Sequence, residues 1–316
     1  MQVLTSVDVA AIRSLREQGE FFWLDLVDPE PTAFARRAGE ALGWHPLLVE
    51  DLEHGFQRPK IDDFGDQTLV ITYAARLDGT PGRLELSEHA LVVHGDYVVS
   101  VRRDEDADIT RLRELLAASG EPITEGSIVH RIVDVVVDTT TSASANIAHQ
   151  VEQLERSIDS DRIDREAVLL QLRACRRDLI ELRGVALAQR DALRSLGTSL
   201  GEIPGFEVGL RDHFRDVMDH ALRVVDEVEV SRLLLDGVFE AYYTMLVAHQ
   251  GAIAQRLTVI STIFLPLTFV TGFFGQNFGW MVEHVDSRDA FVGWGLGMTL
   301  LTALGLLVVF RRLRWF

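Results

Sequence analysis

The chain has 316 residues, with 48 Asp and Glu against 31 Lys and Arg for a formal charge of −17, yet 47% of its residues are apolar and its mean hydropathy is +0.11. The length allows about two domains with an ample core, and the charge excludes nucleic acid or an anionic lipid surface as the main partner while favouring cations. A single cysteine, Cys175, excludes a disulfide framework and any cysteine-based zinc or iron–sulfur centre.

Met1 to Leu15 carries Asp8 and Arg13 and has no apolar run followed by a small-residue cleavage site, so it does not read as a signal peptide. Strands are predicted over Phe21–Leu26, Gln67–Ala75, Leu84–Val93 and Tyr97–Arg102, all rich in Val, Leu and aromatics. Asp78-Gly79 and His94-Gly95-Asp96 supply hairpin turns between them. Helices are predicted over Pro31–Leu42 and Ile109–Ala118. Residues 1–141 therefore form an α+β domain with an at least partly antiparallel sheet. It contains no glycine-rich phosphate loop, nucleophile elbow or HExxH, so nothing in it supports an enzyme.

From about Ser142 the pattern becomes helical, and residues 142–256 are expected to form a stalk. No proline lies between Pro122 and Pro204 or between Pro204 and Pro266. A helix of around 60 residues running from about Phe206 would reach about 90 Å. The Asp, Glu and Arg along these helices read as solvated faces and i,i+4 pairs. Gly201–Gly209 reads as the hairpin between the stalk helices.

The hydrophobic excess sits at the C-terminus. Leu257–Gly275 is 19 uncharged residues and Phe291–Phe310 is 20, each spanning about 28–30 Å, which matches a hydrocarbon core. Arg256 precedes the first span and Arg311, Arg312 and Arg314 follow the second, so both outer ends are expected in the cytoplasm of a cell-membrane protein. The link 276–290 then faces outside, with acidic Glu283, Asp286 and Asp289 against Arg288. Residues 311–316 form a basic cytoplasmic tail. Trp294 and Trp315 stand near span ends, where aromatic belts occur. The spans and tail hold four Arg against three acidic residues, so the whole acidic excess belongs to residues 1–256.

One helical hairpin cannot enclose a watery path alone, so several copies would have to assemble around an axis. Leu257, Ser261, Leu265, Thr268 and Gly272 recur at intervals of three and four and form one stripe of the first span. That stripe suits a pore wall; on periodicity alone, helix packing and hydroxyl back-bonding explain it more simply. Gly293 and Gly297 form GxxxG, which marks helix packing in the second span. Just past the first span, Gln276 and Asn277 are consecutive amides whose carbonyls can ring a pore mouth. Oxygen acceptors of that kind bond the water shell of a hydrated cation such as Mg2+ rather than strip it. No charged residue lies between Arg256 and Glu283, so a charged filter inside the membrane is excluded.

The stretch IFLPLTFVTGFFGQNFGWM (Ile263–Met281) resembles the first-span signature of the CorA family of divalent metal-ion transporters. His45-Pro46-Leu47, Glu50-Asp51, Gln57-Arg58-Pro59-Lys60 and the basic C-terminus ending in Trp315 match the family in order. The resemblance implies a funnel-shaped homopentamer with an α/β cytoplasmic domain, stalk helices and two spans per subunit, the first lining the pore. It implies that Gly275, Gln276 and Asn277 form the selectivity filter, with Asn277 supplying the carbonyl ring. It also makes Leu257, Ser261, Leu265, Thr268 and Gly272 pore-lining, while Thr258, Thr262 and Thr271 remain back-bonding residues. Asp51 and Asp216, with Glu50 beside them, match acidic positions where metal between neighbouring subunits holds the family's channel closed. Read without the family, these are solvated helix charges.

The chain departs from the family at Gln276, where Met is usual, at Gly251, where a polar residue is usual, and at Gly279, where an acidic residue often stands. Relatives with an altered middle filter residue include the zinc-transporting ZntB branch. The expected function is a channel admitting Mg2+, with Co2+ and Ni2+ as further cargo, down its electrochemical gradient. The alternatives are a proton-coupled Zn2+ or other transition-metal transporter and a non-conducting membrane metal sensor or scaffold. His284 reads as an exposed loop histidine, and the other nine histidines show no ligand spacing.

Overall fold

The computed structural model describes residues 2–27, 30–118, 123–158, 164–199, 210–276, 279–284 and 287–312. The chain divides into two compact units, Met1–Phe239 and Glu240–Phe316.

The first unit is built on a six-stranded sheet. Its strands are β1 (Gln2–Leu4), β2 (Phe22–Val27), β3 (Lys60–Asp63), β4 (Thr68–Leu77), β5 (Leu84–His94) and β6 (Tyr97–Arg102), in the order β1-β2-β6-β5-β4-β3. β1, β2 and β6 are parallel; β6, β5, β4 and β3 are antiparallel neighbours. Both expected hairpin turns are present, joining β4 to β5 and β5 to β6. The edge strands β1 and β3 were absent from the sequence-based expectation.

Strand alternation sends side chains to two separate cores. Phe22, Leu24, Leu69, Ile71, Val92, Tyr97 and Val99 face one side, where α1 (Val9–Gln18), α2 (Pro31–Leu42) and α3 (Pro46–His54) cover them with Ile12, Phe34 and Leu48. Trp23, Val70, Leu91, Val93 and Val98 face the other. There α4 (Ala107–Ala118), α5 (Glu125–Ile158) and the start of α7 (Leu210–Phe274) contribute Ile109, Ile132, Val136, Val217 and Ala221. The unit is a sheet between two helical layers, the α+β class expected.

Local chemistry sets the α2–α3 corner that carries Glu50 and Asp51. Pro31 and Pro46 occupy first-turn positions, capped by Glu30 and His45. The buried Gln67 accepts from the His45 main-chain N–H at 3.0 Å and donates to the Gly43 carbonyl at 3.0 Å. Gly39 has no side chain because a Cβ there would stand 2.8 Å from Val49 Cγ2, so α3 seats directly on α2.

The helical region begins earlier than the sequence suggests. α5 starts at Glu125 and runs through the expected boundary at 141/142, its first half packed on the sheet and buried at Ile128, Ile132, Val133 and Val136. The cause is its run of β-branched residues, which sequence periodicity does not separate from a strand. α6 (Arg165–Ser199) follows as a distinct helix. The expected hairpin at Gly201–Gly209 lies outside the described residues.

In the second unit the C-terminal part of α7 is followed by the short helices α8 (Gly279–His284) and α9 (Arg288–Ala290). A π-helical segment, Phe291–Leu296, then leads into α10 (Gly297–Arg312). α7 is 65 residues long, about 98 Å at ~1.5 Å per residue, close to the expected length. It passes through Pro266 without ending.

Candidate cation pathway and metal sites

Two helices, Leu210–Phe274 and Arg288–Arg312, are long and apolar enough to cross a membrane, and their apolar windows are almost entirely unburied. Phe269 is 73% exposed, Leu301 70% and Leu300 65%. Leaving such a side chain in water rather than burying it costs about 1.5–3 kcal/mol. A dozen together would exceed the roughly 5–15 kcal/mol stability of a domain. Their solvent is therefore lipid.

An α-helix satisfies most of its main-chain groups internally, as lipid requires. Hydroxyls follow the same rule: Thr258, Thr262, Thr268 and Thr271 donate to carbonyls one turn earlier at 2.7–3.0 Å. Back-bonding at Thr258, Thr262 and Thr271 agrees with the sequence reading, and Thr268 on the stripe does the same. Pro266 lacks an N–H and so releases the Thr262 carbonyl from the helix ladder.

Leu257, Ser261, Leu265, Thr268 and Gly272 are all exposed on the single chain. At the end of α7 the Gly275 N–H still reaches the Thr271 carbonyl at 3.0 Å, and the Gln276 N–H reaches the Phe273 carbonyl at 3.3 Å. A Cβ at Gly275 would stand 3.2 Å from the Thr271 carbonyl oxygen, a tight approach that favours glycine. Gln276 is exposed just beyond. Asn277 lies outside the described residues, as do Asp286, Arg314 and Trp315. Glu283 and Asp289 are exposed on α8 and α9. His284 sits on α8, bonded through Nδ1 to the Trp280 carbonyl at 3.0 Å and stacked on that indole at 4.7 Å.

The acidic residues of the expected regulatory site fall on two elements of the first unit. Glu50 and Asp51 are on α3 and Asp216 is on α7. No described contact within one chain joins Asp51 to Asp216. Asp51 is already engaged: Lys60 Nζ lies 2.7 Å from its Oδ2 and 2.7 Å from Asp62 Oδ2. Burial alone would lower the Lys60 pKa, but hydrogen bonds and charge attraction from the two aspartates outweigh it and raise the value. The only lysine of the chain thus sits where a divalent ion on Asp51 would have to compete. Glu50 and Asp216 are exposed oxygen donors, suited to hard cations.

His220 on α7 converges with Asp134 and Asp138 of α5, their ligand atoms all within 4.8 Å of one another. Asp134–Asp138 and Asp216–His220 are both i,i+4 pairs, a signal present in the sequence, but nothing there pairs helices 80 residues apart.

Deeper in the sheet, Asp25 is fully buried. It accepts from Ser100 Oγ at 2.7 Å, from Arg113 Nη1 at 2.9 Å and from Arg102 Nη1. Trp23 Nε1 donates to the same Ser100 hydroxyl at 2.8 Å. Nearby His89 is held neutral by burial, its pKa lowered to about 4 against the pull of Asp106. Cys175 is buried and its thiol is pushed up to about 12 by burial and by Asp178.

An α+β unit in a chain with two exposed apolar helices, and no charge between Arg256 and Glu283, defines a membrane protein with a large part outside the bilayer. Residues 18–312 match the family described as CorA-like Mg2+ transporter protein, and the chain belongs to that family. The family consists of transporters, so the chain is a membrane transport protein rather than an enzyme. It is 26% identical over 317 aligned positions to the cobalt/magnesium transport protein CorA of Thermotoga maritima, covering 98% of this chain and 88% of that protein. It is 23% identical to the zinc transport protein ZntB of Yersinia enterocolitica, covering 90% and 84%. Its fold is that of the complete CorA magnesium transporter from Methanocaldococcus jannaschii, with a TM-score of 0.76 at 20% identity over 93% of this chain and 91% of that one.

Proposed function

We propose that the protein is a homopentameric channel of the cell membrane that admits Mg2+, with Co2+ and Ni2+ as further cargo, with both termini in the cytoplasm. The reading rests above all on one observation: the uncharged, membrane-length end of α7 carries a stripe of leucine, hydroxyl and glycine residues that leads to Gly275-Gln276. Five copies of Leu257, Ser261, Leu265, Thr268 and Gly272 line the pore, and Gly275, Gln276 and Asn277 form its filter. The ring of amide oxygens binds a hydrated ion through its water shell. Glu283, Asp286 and Asp289 gather cations at the outer mouth.

The inside-negative potential drives entry, contributing about 4.6 kcal/mol for a divalent ion at 100 mV. The acidic soluble units attract the ion as it leaves the pore. Internal Mg2+ closes the channel by bridging Asp51 and Glu50 of one subunit to Asp216 of its neighbour, displacing the Lys60 ammonium from Asp51.

A second reading, proton-coupled Zn2+ transport, is favoured by Gln276 in place of Met and by the likeness to a zinc transporter. Uptake of Mg2+ and Zn2+ into reconstituted vesicles, with and without a pH gradient, separates the two. Mg2+ entry independent of the gradient supports the channel. Zn2+ entry that collapses without the gradient supports the second reading, and no flux of either ion supports a non-conducting sensor.

A further inference from the structure

The last turns of α7 are held differently from the turns below them. Pro266 has no N–H, so the ladder is interrupted at the Thr262 carbonyl. Residues 267–275 are therefore tied to the rest of the helix by one main-chain bond fewer than an unbroken helix supplies. The threonines on either side of this break donate back into the helix, but not alike. Thr258, Thr262 and Thr268 each donate to a single carbonyl, four residues earlier. The Thr271 hydroxyl is shared between two, 3.0 Å from the Leu267 carbonyl and 3.1 Å from the Thr268 carbonyl.

The other end of Thr271 is also engaged. Its carbonyl accepts the Gly275 N–H at 3.0 Å. The approach there is close: a Cβ at residue 275 would stand 3.2 Å from the Thr271 oxygen and 3.6 Å from the Gly272 oxygen. One residue on, the Gln276 N–H donates to the Phe273 carbonyl at 3.3 Å, a tightened bond of the kind that closes a helix. Thr271 thus grips the turn above the Pro266 break from both sides, by its hydroxyl below and its carbonyl above. A hydroxyl that bonds back to helix carbonyls also bends the helix, and here the bend falls where the ladder is weakest.

We propose that Thr271 is a positioning residue for ion selection: its shared hydroxyl bond and its carbonyl fix the direction in which α7 ends, and so where Gln276 stands. The inference rests on the reading of Gly275, Gln276 and Asn277 as the filter. An ion held through its water shell is chosen by where the surrounding oxygens stand, so a filter of neutral amides depends on the backbone that carries them. The hydroxyl is the part that matters, because valine has the same branched shape and suits lipid equally well. Thr262 is the internal comparison. It makes the ordinary single back-bond, lies below the break at Pro266, and has no link to Gly275.

The test is competitive uptake of Mg2+ and Co2+ into vesicles reconstituted with the full chain, read as the ratio of the two fluxes. Thr271→Val is expected to shift that ratio roughly threefold, within the range one hydrogen bond supplies. Thr271→Ala, which also removes the hydroxyl, should shift it in the same direction. Thr271→Ser keeps the hydroxyl and should restore the ratio, and Thr262→Val should leave it as it is. Gln276→Ala, which changes the filter itself, should shift it further. An unchanged ratio in Thr271→Val and Thr271→Ala, with Gln276→Ala shifted, would overturn the role of Thr271 and leave the filter reading standing. An equal shift in Thr262→Val would reduce Thr271 to ordinary back-bonding and overturn its role as well. An unchanged ratio in Gln276→Ala would overturn the filter reading and the role of Thr271 with it.

Discussion

The two units treat charge in opposite ways. The soluble unit buries a carboxylate, Asp25, and surrounds it with Ser100, Arg102 and Arg113. The membrane unit carries no ionisable side chain between Arg256 and Glu283, and leaves its few hydroxyls bonded to their own helix. A protein interior can hold a charge if partners are built around it. A lipid-facing helix has no such partners at hand, and neutral side chains bonded to their own carbonyls avoid the cost.

The contrast breaks most severely at Asp25. Asp25→Ala leaves Arg102 buried without its counter-charge and is expected to destabilise the soluble unit by about 3–5 kcal/mol. Denaturation of the full-length protein followed by tryptophan fluorescence measures this, and a loss below about 1 kcal/mol would mean that the network relaxes.

His89 gives a slightly smaller effect, and its sign follows from burial. The folded pKa, about 4, lies below the unfolded value of 6.5. Stability is therefore complete above about pH 6.5 and is lost as pH falls through 4, by at most about 3 kcal/mol. His89→Gln should flatten the stability profile across that window, which denaturant midpoints from pH 7 to pH 4 would reveal.

Lys60 sharpens the comparison at the proposed regulatory site. Its pair with Asp51 is partly exposed, with side chains 27% and 23% accessible, so the interaction is worth about 1 kcal/mol. Removing the competing ammonium in Lys60→Met should let internal Mg2+ close the channel at roughly fivefold lower concentration. An unchanged inhibition curve in inside-out patches would argue against metal at Asp51.

How much of this was legible in the sequence depended on the physics of each segment. The central strands β2, β4, β5 and β6 and helices α2 and α4 announce themselves through dense apolar patterning and a proline start. β3, with the sequence KIDD, is a charged edge strand that only its pairing with β4 defines. β1 is three residues held by parallel pairing to β2. α5 hides its first turns in β-branched residues that pack on the sheet. The membrane stripe is legible because its periodicity is local. The Asp134–Asp138–His220 cluster is not, because it exists only once two distant helices meet.

The central claim is that the Leu257–Ser261–Leu265–Thr268–Gly272 face of α7 borders water while its other faces do not. Cysteine scanning tests it directly, since the only native thiol, Cys175, is buried and pushed up to about 12 and should stay silent. Single cysteines at Ser261, Thr268 and Gly272 should react with a water-soluble, membrane-impermeant thiol reagent and lose divalent-cation flux, while cysteines at Thr262 and Phe269 should not react. Equal labelling of both sets, or labelling of Thr262 and Phe269 alone, would contradict the account.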